Sequence, residues 1–194
     1  MIVASIMQPT YLPWIGYFKL IENSDIFIFL DCVQFDKRSW QQRNYIRNGD
    51  NKLLLSVPVH TKGKFNQAIK NVKIDYSINW QNKHLNTLLH CYSKTRYFDD
   101  HYFDLKNILI QNTENISSLN IKLIKMICNK LKIKTKFIVS SYFSLDFNKD
   151  ELLYNLCKEV NANLYLSPPG SKKYLSESNY FNKDIKLKYF EYKK

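Results

Sequence analysis

Glycine and proline are scarce in this 194-residue chain, four and five residues, and arginine supplies only four of its 29 basic side chains. With so little glycine there is no phosphate loop of the GxxxxGK[ST] or GxGxxG kind, which excludes those two ways of cradling a phosphate. Cys32, Cys91, Cys128 and Cys157 stand far apart, so neither a CxxC pair nor a dense disulfide framework is present, and the four read as reduced thiols. His60, His84, His90 and His101 form no HxxxH pair, and Cys91 beside His90 is the nearest approach to a ligand set; no metal is expected. Pro9, Pro13, Lys19, Glu22 and Asp25 interrupt the apolar first thirty residues, so no membrane span is expected. Nothing basic precedes Ile2, which does not suit a signal peptide, and a cytoplasmic location is the expectation.

What the chain does hold is lysine, asparagine and isoleucine, with a formal net charge of +12. This is the composition of a gene rich in A and T, in which lysine accumulates on any solvated face, so the charge says little about partners and nucleic acid is not expected. Apolar residues make up 45 % of the chain and run its whole length, which excludes disorder and allows a sizeable core. Against that bias, the places where Gly, Pro, Arg and Trp gather are informative. They gather at 8–18, with Pro9, Pro13, Trp14 and Gly16; at 37–47, with Arg38, Trp40, Arg43 and Arg47; and at 167–170, Ser-Pro-Pro-Gly.

The apolar runs 2–7 and 25–30 read as buried strands. Between them Pro13 suits the first turn of a helix that continues through Ile15, Phe18 and Ile21, giving the βαβ signature of a parallel sheet. Residues 53–59 and 68–74 read as strands joined around Gly63, 77–112 as one or two helices, and Ile116 to Leu131 as an amphipathic helix. The pattern then returns with a strand at 136–140, a helix through Leu152 and Val160 that Asn148 and Glu151 would box at its start, and a strand at 164–166. A half-exposed edge strand is expected at 185–189. The expectation is an α/β fold, a single three-layer domain over residues 1–194 with a mainly parallel, Rossmann-like sheet, a helical section and an antiparallel edge. In such sheets ligands bind outside the carboxyl ends of the strands, where all three clusters fall.

Gln8 could hydrogen-bond a ligand there, and Tyr11 and Trp14 could stack on one or simply pack a rigid strand-to-helix turn. Lys37, Arg38, Arg43 and Arg47, interleaved with Trp40 and Tyr45, form a cationic patch suited to a diphosphate, to a nucleic-acid backbone or to solvation alone. Asp31, with Gln34 three residues on, is a general base or a turn cap, and His84 an acid/base group or a packed ring.

The segments MQPTYLPWIGYF at 7–18, LDCVQFDKRSWQQRN at 30–44, LSVPV at 55–59 and YLSPPGSKKYL at 165–175 together resemble the WbqC-like protein family. The resemblance implies a bacterial enzyme of O-antigen or other surface polysaccharide synthesis, working on nucleotide-linked sugars. Carried over by motif, the family's shared residues fall on Gln8, Pro9, Tyr11, Pro13, Trp14, Gly16 and Tyr17, and on Asp31, Gln34, Lys37, Arg38, Trp40, Gln41, Arg43 and Asn44. His84, Ser167, Gly170 and Tyr174 complete the set. Met7 stands where many members have His, and Cys32 where many have Asp. Many members also continue beyond the Tyr189 region, which implies a short member or a surface completed by a second copy or a biosynthetic partner protein.

The expected activity is modification of a nucleotide-linked amino sugar by acyl or aminoacyl transfer to its amine, with an acyl or aminoacyl donor as the co-reactant. Asp31, His84 and Gln8 are the catalytic candidates, and Tyr11, Trp14, Tyr17, Gln34, Lys37, Arg38, Trp40, Arg43, Asn44, Ser167, Gly170 and Tyr174 the binding ones. The alternatives are a nucleotidylyl-transferase-like enzyme and a non-catalytic basic module of a biosynthetic complex.

Overall fold

The computed structural model describes residues 1–147, 149–175, 180, 181 and 184–192, and Lys173 and Tyr174 by their backbone alone. It divides into two compact units: unit 1 comprises Met1–Gln8, Trp14–Asp31 and Leu131–Lys194, and unit 2 comprises Pro9–Pro13 and Cys32–Lys130.

Unit 1 is built on five strands, β1 (Val3–Met7), β2 (Ile26–Phe29), β5 (Lys136–Val139), β6 (Leu164–Ser167) and β7 (Lys186–Tyr189). They are ordered β5-β2-β1-β6-β7, and each neighbouring pair is parallel. Continuous apolar stretches make this possible, because a parallel sheet buried on both faces needs no polar alternation, and β2 is buried at all four positions. The helices are α1 (Ile15–Glu22), α5 (Lys149–Glu159) and the single turn α6 (Lys172–Leu175).

Register assigns the two long helices to opposite faces. Phe27 lies beside Ser5, whereas Tyr165 lies beside Ala4, so the two rings point oppositely from the sheet. Tyr17 of α1 meets the Phe27 ring at 5.4 Å; Tyr165 stacks on Phe181 at 5.3 Å, and Phe181 in turn meets Tyr154 of α5. Helix, sheet and helix form the three layers.

Unit 2 holds the hairpin β3 (Arg43–Asn48) and β4 (Asn51–Ser56), and the helices α2 (Trp80–Tyr92), α3 (Phe98–Ile110) and α4 (Ile116–Lys130). Its core gathers Tyr11, Val57, Ile69, Trp80, Leu109, Ile116, Leu119 and Leu123.

Three local expectations change. The hairpin runs from 43 to 56 rather than across 53–74, and 69–71 is a 3-10 turn, with Val59 and Ile74 forming only an isolated bridge. Gly49 has φ +59° at the first central position of a two-residue turn between the paired Asn48 and Asn51, a conformation that glycine adopts freely. Pro13 precedes the N-cap, Trp14, rather than sitting in the first turn. Asn148, half of the expected capping box, lies outside the described residues. No helix among the described residues is long and apolar enough to cross a membrane.

Candidate functional site

Along the sheet of unit 1 the chain moves outward from β1 to β2 and β5 on one side and from β6 to β7 on the other. The direction of winding therefore reverses between β1 and β6, and the carboxyl ends of those two strands form the switch point at which open α/β sheets bind ligands. Gln8 follows β1 and is half-buried, its carbonyl accepting the Tyr17 hydroxyl at 3.1 Å. Ser167 ends β6, fully buried, with its hydroxyl on that of Ser171, which donates on to the Pro168 carbonyl. Gly170 lies in the exposed turn that follows, where nothing would obstruct a side chain. Tyr174 is on α6, and its side chain lies outside what is described.

Asp31, two residues beyond β2, is buried and caps a turn contributed by the adjacent strand. Its carboxylate accepts the Ser140 hydroxyl, the Ser141 amide and the Ser141 hydroxyl, each at 3.1 Å, at the start of the 3-10 turn Ser140–Tyr142 after β5. Tyr17 is buried against Phe18 and Phe27 and offers no ring face for stacking. Trp14 is 54 % exposed, its indole lying over Gly16 and meeting Tyr192 edge-on at 5.1 Å.

In unit 2 the first aromatic of the 8–18 cluster turns inward. Tyr11 is fully buried, and its hydroxyl lies 2.8 Å from Nδ1 of His84, itself buried on α2. Burial holds His84 down to about 4, and its other polar contact is the Ser56 backbone. The ring is therefore neutral near pH 7, with Nδ1 accepting from Tyr11 and the opposite N–H donating to the Ser56 carbonyl. Burial likewise raises the Tyr11 phenol well above its ordinary value, so it stays a donor. Tyr11 is thus closed to ligand stacking.

The same segment is anchored by amides. Asn44 donates from Nδ2 to the carbonyls of Tyr11 and Leu12, and Asn120 of α4 donates from Nδ2 to those of Pro9 and Gln41. The Tyr11 amide adds a bond to the Trp40 carbonyl at 2.9 Å. This network holds Leu12 at φ +44°, a left-handed conformation costly for leucine. Asn120 escaped the sequence reading; its signal was a lone amide at helical spacing from Ile116 and Leu123 on an apolar stripe.

Outside this clamp the cationic cluster faces solvent. Lys37 and Arg38 are exposed, Arg43 is half-buried at the start of β3, and none of the three is in an ion pair among the described residues. Trp40, 53 % exposed, meets the exposed Tyr45 ring at 6.0 Å. Gln34 is exposed and donates to Asn66 at 3.3 Å. The candidates therefore fall into two sets: Gln8, Trp14, Tyr17, Asp31, Ser167, Gly170 and Tyr174 in unit 1, and Tyr11, Gln34, Lys37, Arg38, Trp40, Arg43, Asn44 and His84 in unit 2. No group of three His, Cys, Asp or Glu residues able to hold a metal occurs among the described residues.

The model of the WbqC-like protein family matches residues 8–194. An uncharacterized protein of Mycobacterium tuberculosis is 35 % identical over 189 residues, covering 97 % of this chain and 81 % of that one. No solved structure matches the chain.

Proposed function

The chain belongs to the WbqC-like protein family, and from that premise we propose an enzyme of bacterial surface polysaccharide (O-antigen) biosynthesis that modifies a nucleotide-linked amino sugar by acyl or aminoacyl transfer to its amine. The observation that carries this reading is the segment 37–45 of unit 2, in which Lys37, Arg38 and Arg43, without carboxylate partners among the described residues, alternate with Trp40 and Tyr45, whose exposed rings meet at 6.0 Å. Planar guanidinium groups suit a diphosphate, and an open indole suits a nucleobase.

In the transfer the amine nitrogen attacks the donor's acyl carbon, a C–N bond forms as the bond to the leaving group breaks, and the amine proton passes to a base. Asp31 and His84 are the candidates for that base, and Gln8 the candidate for orienting the ligand.

A thermal-shift series with dTDP-, UDP- and GDP-linked amino sugars tests the reading. Ligand at about a hundred times its dissociation constant raises the midpoint by roughly 5 to 10 °C for a chain of this size. Arg43→Ala is expected to raise KM about tenfold or more while changing kcat far less. Silence from every nucleotide sugar overturns the proposal. Release of pyrophosphate from a nucleoside triphosphate points instead to nucleotidylyl transfer, and salt-sensitive duplex binding alone points to a basic binding module.

A further inference from the structure

Unit 2 contains a cleft of about 310 Å³ whose lining includes two of the binding candidates above, Gln34 and Lys37. It opens between the segment 34–37 and the loop 61–67, and those two segments are zipped together: the Phe35 amide donates to the Gln67 carbonyl at 2.8 Å, the Ile69 amide to the Val33 carbonyl at 3.0 Å, and Gln34 bridges Ala68. The buried Phe35 ring closes the inner wall, so the cleft is part of the fold and not a gap between loose loops.

Its chemistry is mixed in a particular way. The amides of Gln34, Asn66 and Gln67, the Thr61 hydroxyl and the Asp36 carboxylate surround the space, donors and acceptors of the kind a polyol satisfies. Phe65 lines the same cleft with a ring that is 85 % exposed, an apolar platform held on the surface where a sugar's C–H face can lie. Lys37 sits 5.6 Å from that ring's centroid, and Lys64 is the second cation of the cleft, two positive charges against the one of Asp36. The volume suits one hexose ring with a phosphate.

We propose that this cleft binds a hexose carrying a phosphate on its anomeric oxygen, the sugar ring against Phe65 and amid the amides, the phosphate between Lys37 and Lys64. The inference rests on the proposed function in taking the hexose to be an amino sugar; the same moiety occurs free, as a sugar 1-phosphate, and within a nucleotide-linked sugar.

Titration calorimetry on the full chain tests it with four probes: glucosamine 1-phosphate, UDP-glucosamine, methyl glucosaminide and inorganic phosphate. Glucosamine 1-phosphate is expected to bind at least tenfold more tightly than either the neutral glycoside or inorganic phosphate. Phe65→Ala and Lys64→Gln, both at exposed positions and so expected to fold, should each weaken it fivefold or more. Equal binding of inorganic phosphate, or unchanged binding in both variants, overturns the cleft. If UDP-glucosamine stabilises the wild type and Phe65→Ala alike, the proposed function stands and the cleft does not. If glucosamine 1-phosphate needs Phe65 and Lys64 while no nucleotide sugar binds, the cleft stands as a site for the free sugar phosphate and the proposed function falls.

Discussion

Both amide hydrogens of Asn120, which is fully buried, are committed to main-chain carbonyls, those of Pro9 and Gln41. Asn120→Ala strands two buried acceptors, a loss of roughly 2 to 4 kcal/mol. Urea unfolding should show it as a lower midpoint at unchanged slope. His84 sets a pH dependence of the opposite origin to an ion pair: burial lowers its pKa from 6.5 to about 4, so the unfolded chain binds the proton first. Its stabilising share is complete above about pH 6.5 and is lost as the pH falls towards 4, by up to roughly 3 kcal/mol. The midpoint difference between wild type and His84→Gln should shrink across that interval, because the variant lacks the titration. Pairings of this kind were illegible in the sequence, since Tyr11 and His84 are 73 residues apart and nothing in either residue's neighbours names the other. Residue type alone left Tyr11 open to stacking or packing, and burial decided for packing.

The parallel strands and the helices α1 and α4 were legible because their burial is written locally, in β-branched runs and in helical spacing. The hairpin was not, because β3 is Arg-Asn-Tyr-Ile-Arg-Asn, with no fully buried position, and reads as a basic loop. Asn48-Gly49 was its one signal. Asp31 was legible as a cap or a base, but its partners were not: Ser140 and Ser141 come from the 3-10 turn after β5, 109 and 110 residues away. At the start of α1, a Cβ on Gly16 would come within 1.9 Å of the Trp14 indole. Because that indole is half exposed it can swing aside, and alanine is the better helix former by about 1 kcal/mol. Gly16→Ala should therefore change stability by no more than about 1 kcal/mol while altering the near-ultraviolet dichroism of Trp14, which loses its edge contact with Tyr192.

For the molecule entire, 29 basic against 17 acidic side chains make self-repulsion the dominant long-range force. The pairs Lys19–Glu22, Arg47–Asp50, Lys73–Glu114 and Lys130–Asp104 are at the surface and cannot offset it. Raising ionic strength from about 0.01 to 0.15 M shortens the screening length from about 30 to 8 Å. The thermal midpoint should accordingly rise by a few degrees; a fall would mean that attractive pairs dominate. The position of unit 2 in the chain has a kinetic consequence. β2 and β5 are adjacent in the sheet, yet the whole of Cys32–Lys130 intervenes between them. Each doubling of an unstructured loop adds about 0.6 kcal/mol to the cost of bringing its ends together. A unit 2 that has already folded replaces that floppy tether with a compact one, so the central strands meet fastest when the insertion is made first. Refolding should then proceed in two phases, helical signal from unit 2 preceding the burial of Phe27 and Phe137, and Asn120→Ala should slow the second phase although it touches no strand of the sheet.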